Sequence, residues 1–139
     1  MKVFITHSHG NRPLVRQVVK TLKQAGLDVW DDEYDTYPSD NWAKVTGEAL
    51  EQSDAMVVLV TADALDSVIV HRDIGFALSN IQFEYRVIPV LVGVELDVAK
   101  KNFGWIMHHL DPIMLPAFNE QQVGIDQITH ALQGLQAVA

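Results

Sequence analysis

Three polar segments carry the side chains that could do chemistry: HSHGNR at 7–12, DDEYDTYPSDNW at 31–42, and TADALDS at 61–67, which leads into His-Arg-Asp at 71–73. His7 and His9 have the His-x-His spacing that opens the His-x-His-x-Asp-His run of zinc ligands. Asn11 and Arg12 stand where that run needs Asp and His. Asn ligates weakly and Arg not at all, so no zinc site is expected. His108 and His109 are adjacent, a spacing that does not turn both rings to one metal. The carboxylate of Asp73 is open to two readings, a reacting group or a solvent-facing helical residue following Asp66 and Ser67.

These segments need elements to hold them. Residues 3–6 (VFIT), 27–30 (LDVW), 55–61 (AMVVLVT) and 86–93 (RVIPVLVG) are short apolar runs of the kind that form strands buried on both faces. Pro89 weakens the fourth, and a brief fifth strand is expected at 113–115. Between them lie helical stripes. Leu14, Val15, Val18, Val19 and Leu22 follow Asn11 as a cap and stop at Gly26. Trp42, Val45, Ala49 and Leu50 follow Asp40, and Val70, Ile74, Ala77 and Leu78 follow Asp66 or Ser67. Residues 95–112 lack a clean period and read as short helical turns. Asn119 with Gln122 resembles a capping box before a last stripe of Ile125, Ile128, Leu132 and Leu135.

Strands alternating with helices predict an α/β three-layer sandwich around a parallel sheet with right-handed crossovers. In such sheets ligands bind beyond the carboxyl ends of the strands, where strand order reverses, and the three polar segments all fall at carboxyl ends. Two look-alikes fail on position. Asp31 and Asp32 make an acidic pair like the Mg²⁺-holding pair of phospho-receivers, but follow the second strand instead of the first, and no receiver Lys follows the fifth. The His-Arg-Asp tripeptide of protein-kinase catalytic loops occurs here without a preceding glycine-rich loop or a following Asp-Phe-Gly.

The chain has 139 residues, 48% apolar and 20% charged, a length and balance that predict one globular domain over 1–139. The net charge of −8 repels phosphate backbones and anionic lipids, so neither nucleic acid nor a membrane is an expected partner. Apolar stretches such as VIPVLVGV fall far short of a membrane span, and MKVFITHSH lacks the features of a secretory signal. The absence of Cys excludes disulfides, thiolate zinc sites and cysteine nucleophiles. A cytoplasmic location follows as the expectation.

VFITHSHGNR resembles the opening box of TIR (Toll/interleukin-1 receptor) domains. AGLDVWDDEYDTYPSDNW is similar to their second strand and following loop, and ALEQSDAMVVLVTADALDS to their third-strand box, in the same order and spacing. RVIPVLVG and FGWIMHHLDPI extend the likeness to bacterial members over roughly residues 2–115.

The resemblance implies a flavodoxin-like sheet of five parallel strands in order 2-1-3-4-5. It implies pairing with other TIR domains or with itself through the loop after the second strand, where Tyr34, Tyr37, Pro38 and Trp42 present aromatic and apolar surface. It further implies NAD⁺ as a candidate substrate, with no resident cofactor and no metal, hydrolysed or cyclised at the bond between nicotinamide and ribose. Antiphage defence is a common setting of bacterial members. In enzymatic members a Glu of a Trp-x-x-x-Glu motif in the third helix contacts the nicotinamide ribose; by spacing from Ser67 it corresponds to Asp73, and the Trp to Ile69. Asp73 is thus the candidate catalytic residue, and His7, Ser8, Asn11, Asn41, Trp42 and Ser67 are the candidate substrate-binding residues. Trp42 is the better ring-stacking candidate, with Trp30 read as structural. Thr6, His7, Asn11 and Ser39 depart from the family's usual Ser, Tyr, Asp and Gly. The alternative is an interaction module that breaks no bond.

Overall fold

The computed structural model describes residues 1–8, 10, 12–30, 42–104 and 112–138. Within them lie five strands, β1 (Lys2–Thr6), β2 (Asp28–Trp30), β3 (Ala55–Val60), β4 (Val87–Val92) and β5 (Ile113–Leu115). All pair in parallel, in the order β2-β1-β3-β4-β5. The solid apolar runs become the central strands: β3 and β4 are buried at every residue. Pro89 is accommodated within β4 opposite Val58, one residue before β4 first engages β5 at Val90 and Ile113.

The described helices are α1 (Arg12–Gln24), α2 (Trp42–Gln52), α3 (Val68–Leu78), α4 (Leu96–Phe103) and α5 (Gln122–Val138). Alternation along each strand divides the core in two. Val3 and Ile5 of β1, with Val57 and Leu59 of β3, face α1 and α5. Phe4 of β1, with Met56, Val58 and Val60 of β3, faces α2, α3 and α4.

Local chemistry sets the boundaries. α1 ends in a Schellman motif, with Leu27 N–H donating to the Leu22 carbonyl and Gly26 N–H to that of Lys23. Gly26 supplies the left-handed residue at φ 87°. Ser67 caps α3, its hydroxyl accepting the Val70 N–H at 3.3 Å, which settles the choice between Asp66 and Ser67. Residues 96–103 form one eight-residue helix, more regular than the short turns expected, because Ala99 and Phe103 bury one face of it. The capping box expected at Asn119 does not form. Asn119 and Glu120 take left-handed conformations (φ 41° and 53°), so Gln122 becomes the first helical residue and not the fourth of a capped turn. The caps expected at Asn11 and Asp40 lie outside the described residues. Gly124 is needed for contact: a Cβ there would sit 2.5 Å from Leu115 Cδ1, so α5 approaches β5 as closely as it does only without a side chain.

Candidate functional site

The carboxyl ends of β1 and β3 and the first turns of α3 bring part of the expected site together. Thr6 ends β1 and points to the face covered by α2 and α3, where its hydroxyl donates to Asp73 Oδ2 at 2.8 Å. The other carboxylate oxygen, Oδ1, accepts from Arg72 Nη2 at 3.2 Å. Asp73 is 1% exposed, which overturns the reading of it as a solvent-facing helical residue. Its place on the apolar stripe explains this: it lies three residues after Val70 and four before Ala77, both buried. Burial raises its pKa above the ordinary value of 3.8, while the hydrogen bonds from Thr6 and Arg72 and the charges of Arg72 and His7 pull the other way.

Around this carboxylate stand other expected residues. His7 is half-buried, with Nδ1 2.8 Å from the Ser8 carbonyl oxygen, and its charge is felt at Asp73. Ser8 Oγ lies 3.3 Å from Thr61 Oγ1, tying the loop after β1 to the loop after β3. Gly10 lies so close to the Asp63 carboxylate that a Cβ there would force the carboxylate to move, so the two loops meet through the Asp63 side chain. Ser67 caps α3 six residues before Asp73. His71 stacks on Phe103 at 4.4 Å, and its Nε2 lies 2.8 Å from the Leu65 carbonyl oxygen, so it packs α3 against α4.

Other expected positions are not brought into this group. Asn11, Asn41, Tyr34, Tyr37 and Pro38 lie outside the described residues, as do His9, Asp31, Asp32, Ser39, His108 and His109; of Trp42 only the helical backbone is described. Trp30 stacks on Phe4 at 5.2 Å between ring centroids, a packing role as expected. Two surface clefts lie away from Asp73. One, of about 150 Å³, is lined by Lys2, Trp30 and the α2 residues Val45, Glu48, Ala49 and Gln52. The other, of about 390 Å³, is lined by Met1, Asp54, Gln82, Arg86 and Gln136. Neither contains an expected site residue.

One polar group went unread in the sequence. Thr46 of α2 is 1% exposed, and its hydroxyl has no hydrogen-bond partner. The signal was present: like Asp73 it falls on its helix's apolar stripe, three and four residues before buried Ala49 and Leu50.

Among the described residues no three His, Asp or Glu side chains converge as metal ligands, and no helix is long and apolar enough to cross a membrane.

Similar folds occur among solved structures. A metazoan TIR-STING receptor from C. gigas, in complex with 2′,3′-cGAMP, aligns over 93% of this chain at a TM-score of 0.74 and 19% identity. This chain spans only 38% of that receptor's length. The TIR domains of the activated Roq1 resistosome, which recognises the pathogen effector XopQ, align over 94% of this chain and 98% of theirs, at a TM-score of 0.78 and 14% identity. A prokaryotic SEFIR domain aligns over 94% of this chain and 90% of its own, at 0.66 and 12%. No curated protein matches the chain in sequence. The family model for the TIR domain matches residues 3–129, nearly the whole sheet and its helices, and the chain belongs to the TIR domain family.

Proposed function

We propose that this chain is a TIR signalling module that pairs with other TIR domains or with itself, and that the crevice around Asp73 cleaves NAD⁺ slowly to release nicotinamide. The observation that supports this most is Asp73 itself, the one buried ionisable side chain among the described residues, at the carboxyl end of β1. An enclosed carboxylate costs folding free energy, and groups with burial-raised pKa values gather at functional sites. When the bond from ribose C1′ to nicotinamide breaks, the bonding pair leaves with the now neutral nicotinamide and the ribose gains oxocarbenium character. A fixed anion nearby stabilises that charge. Water then adds at C1′ and sheds a proton, giving ADP-ribose; attack by another group of the same molecule gives a cyclic product instead. A carboxylate with raised proton affinity suits the acceptance of that proton.

Likeness to the TIR domains of a resistosome that recognises a pathogen effector supports a role in immune signalling. Antiphage defence is the form this takes if the source is bacterial, and the cytoplasm is the proposed compartment. Pairing is assigned to the loop carrying Tyr34, Tyr37, Pro38 and Trp42.

One observation favours a second reading, an interaction module that breaks no bond. Thr6 and Arg72 occupy both Asp73 oxygens, and the side chain is enclosed, so no substrate atom reaches it until the crevice opens. Nicotinamide release from NAD⁺, followed as protein concentration is raised, separates the two. The expected result is weak release that grows more steeply than concentration, is lost in Asp73→Ala and rises in Asp73→Glu. The last expectation follows because an Asp stops roughly 1 Å short of a Glu, a displacement that can cost about a hundredfold in rate. Silence in the native protein and in Asp73→Glu, at concentrations where pairing is confirmed, establishes the interaction module instead.

A further inference from the structure

We infer that Thr46 is a ligand-binding residue of the Asp73 crevice, its hydroxyl meeting a ribose hydroxyl of NAD⁺; the inference rests on the NAD⁺ reading above. Four polar or charged side chains are buried among the described residues: Thr6, Thr46, Ser53 and Asp73. Ser53 is satisfied by the Ala49 carbonyl at 2.7 Å, and Thr6 and Asp73 satisfy each other. Thr46 alone is left without a partner. A buried hydroxyl with no hydrogen bond is destabilising and calls for an explanation.

Its position supplies one. Ala49 and Leu50 of α2 pack in the cluster that contains Phe4 of β1. α2 lies on the crossover from β2 to parallel β3, so it runs back against the strands. One helical turn from Leu50 to Thr46 rises about 6 Å, and two residues from Phe4 to Thr6 rise about 6.6 Å, both toward the carboxyl ends. Thr46 therefore lies beyond Leu50 toward the carboxyl ends, as Thr6 lies beyond Phe4, on the face of the sheet that also holds Asp73. Three oxygen-bearing side chains from β1, α2 and α3 thus share one end of one face, two paired and one waiting. Ligand entry requires α2 to shift against α3. Gly47 stands beside Thr46 in α2. Nothing lies within 4 Å of where its Cβ would be, so packing does not demand a glycine there, and in a helix interior it costs about 1 kcal/mol relative to Ala.

The test compares native protein, Thr46→Val and Thr46→Ser, each melted without ligand and titrated calorimetrically with a carbocyclic NAD⁺ that cannot form an oxocarbenium ion. Thr46→Val keeps the shape and removes the hydroxyl. It is expected to melt above the native protein and to bind roughly tenfold more weakly, the worth of one hydrogen bond, while Thr46→Ser binds within about twofold of native. Binding by Thr46→Val as tight as native, whatever its melting temperature, overturns the inference and leaves the NAD⁺ reading standing. No binding by the native protein overturns both, and the native titration alone tells the two failures apart. Thr46→Ala takes the place of Thr46→Val if the latter does not melt cooperatively.

Discussion

The two faces of the sheet are built to different rules. Toward α1 and α5 the core is wholly apolar, from Val3 and Ile5 of β1 through Leu22 to Ile125, Ile128 and Leu132, the last three fully buried. Toward α2, α3 and α4 an apolar cluster of similar make-up is interrupted at its carboxyl end by Thr6, Thr46 and Asp73. A core gains most of its stability from apolar burial, and buried polar groups subtract from it unless satisfied. One face thus holds the fold while the other gives up stability to keep a carboxylate and two hydroxyls out of water.

That contrast can be broken or sharpened by substitution. The largest effect is expected on the apolar face, where Ile128→Ala leaves a cavity among α1, α5 and the sheet and costs about 2–5 kcal/mol in urea unfolding. A much smaller loss would mean that this face is not the anchor. On the other face the sign reverses: the melting gain of Thr46→Val corresponds to about 1–3 kcal/mol, the desolvation cost of an unsatisfied group. The smallest effect is linked to pH. Because burial raises the Asp73 pKa in the folded chain, its contribution favours folding fully below the unfolded value of 3.8 and fades as pH rises through the folded value. Arg72 offsets this weakly, since its side chain is 45% exposed. Native protein is therefore expected to gain stability relative to Asp73→Asn as pH falls from 7 toward 4, every other carboxylate cancelling in the comparison. A difference that is flat with pH contradicts a raised pKa.

Much of the architecture was legible because strands buried on both faces read as unbroken apolar runs. The expected 3–6 misses one residue at the start of β1, 55–61 runs one past the end of β3, and 86–93 runs one past each end of β4. Gly26 was legible as a helix stop and Ser67 as one of two cap candidates with Asp66, each being a residue type with a specific backbone duty. The state of Asp73 was not. Its hydrogen-bond partner Thr6 is 67 residues away in the chain, and local pattern treats a charged residue as solvent-facing even on an apolar stripe. Asn119 misled because Asn serves both as a helix cap and as a left-handed turn residue, and only tertiary context chooses. Thr46 sat on the apolar stripe ahead of Ala49 and Leu50, a spacing that marks it as buried but does not say that its hydroxyl lacks a partner.

A ligand site at the carboxyl end of the polar face is open to direct measurement. The most direct measurement is a titration of ¹⁵N-labelled native protein with carbocyclic NAD⁺, following backbone amide shifts. The expected shifts are concentrated at Thr6, Ser8, Thr46, Thr61, Ser67 and Asp73, with α1 and α5 unmoved. Shifts centred instead on the cleft of Met1, Asp54, Gln82, Arg86 and Gln136, or no shifts at all, contradict it.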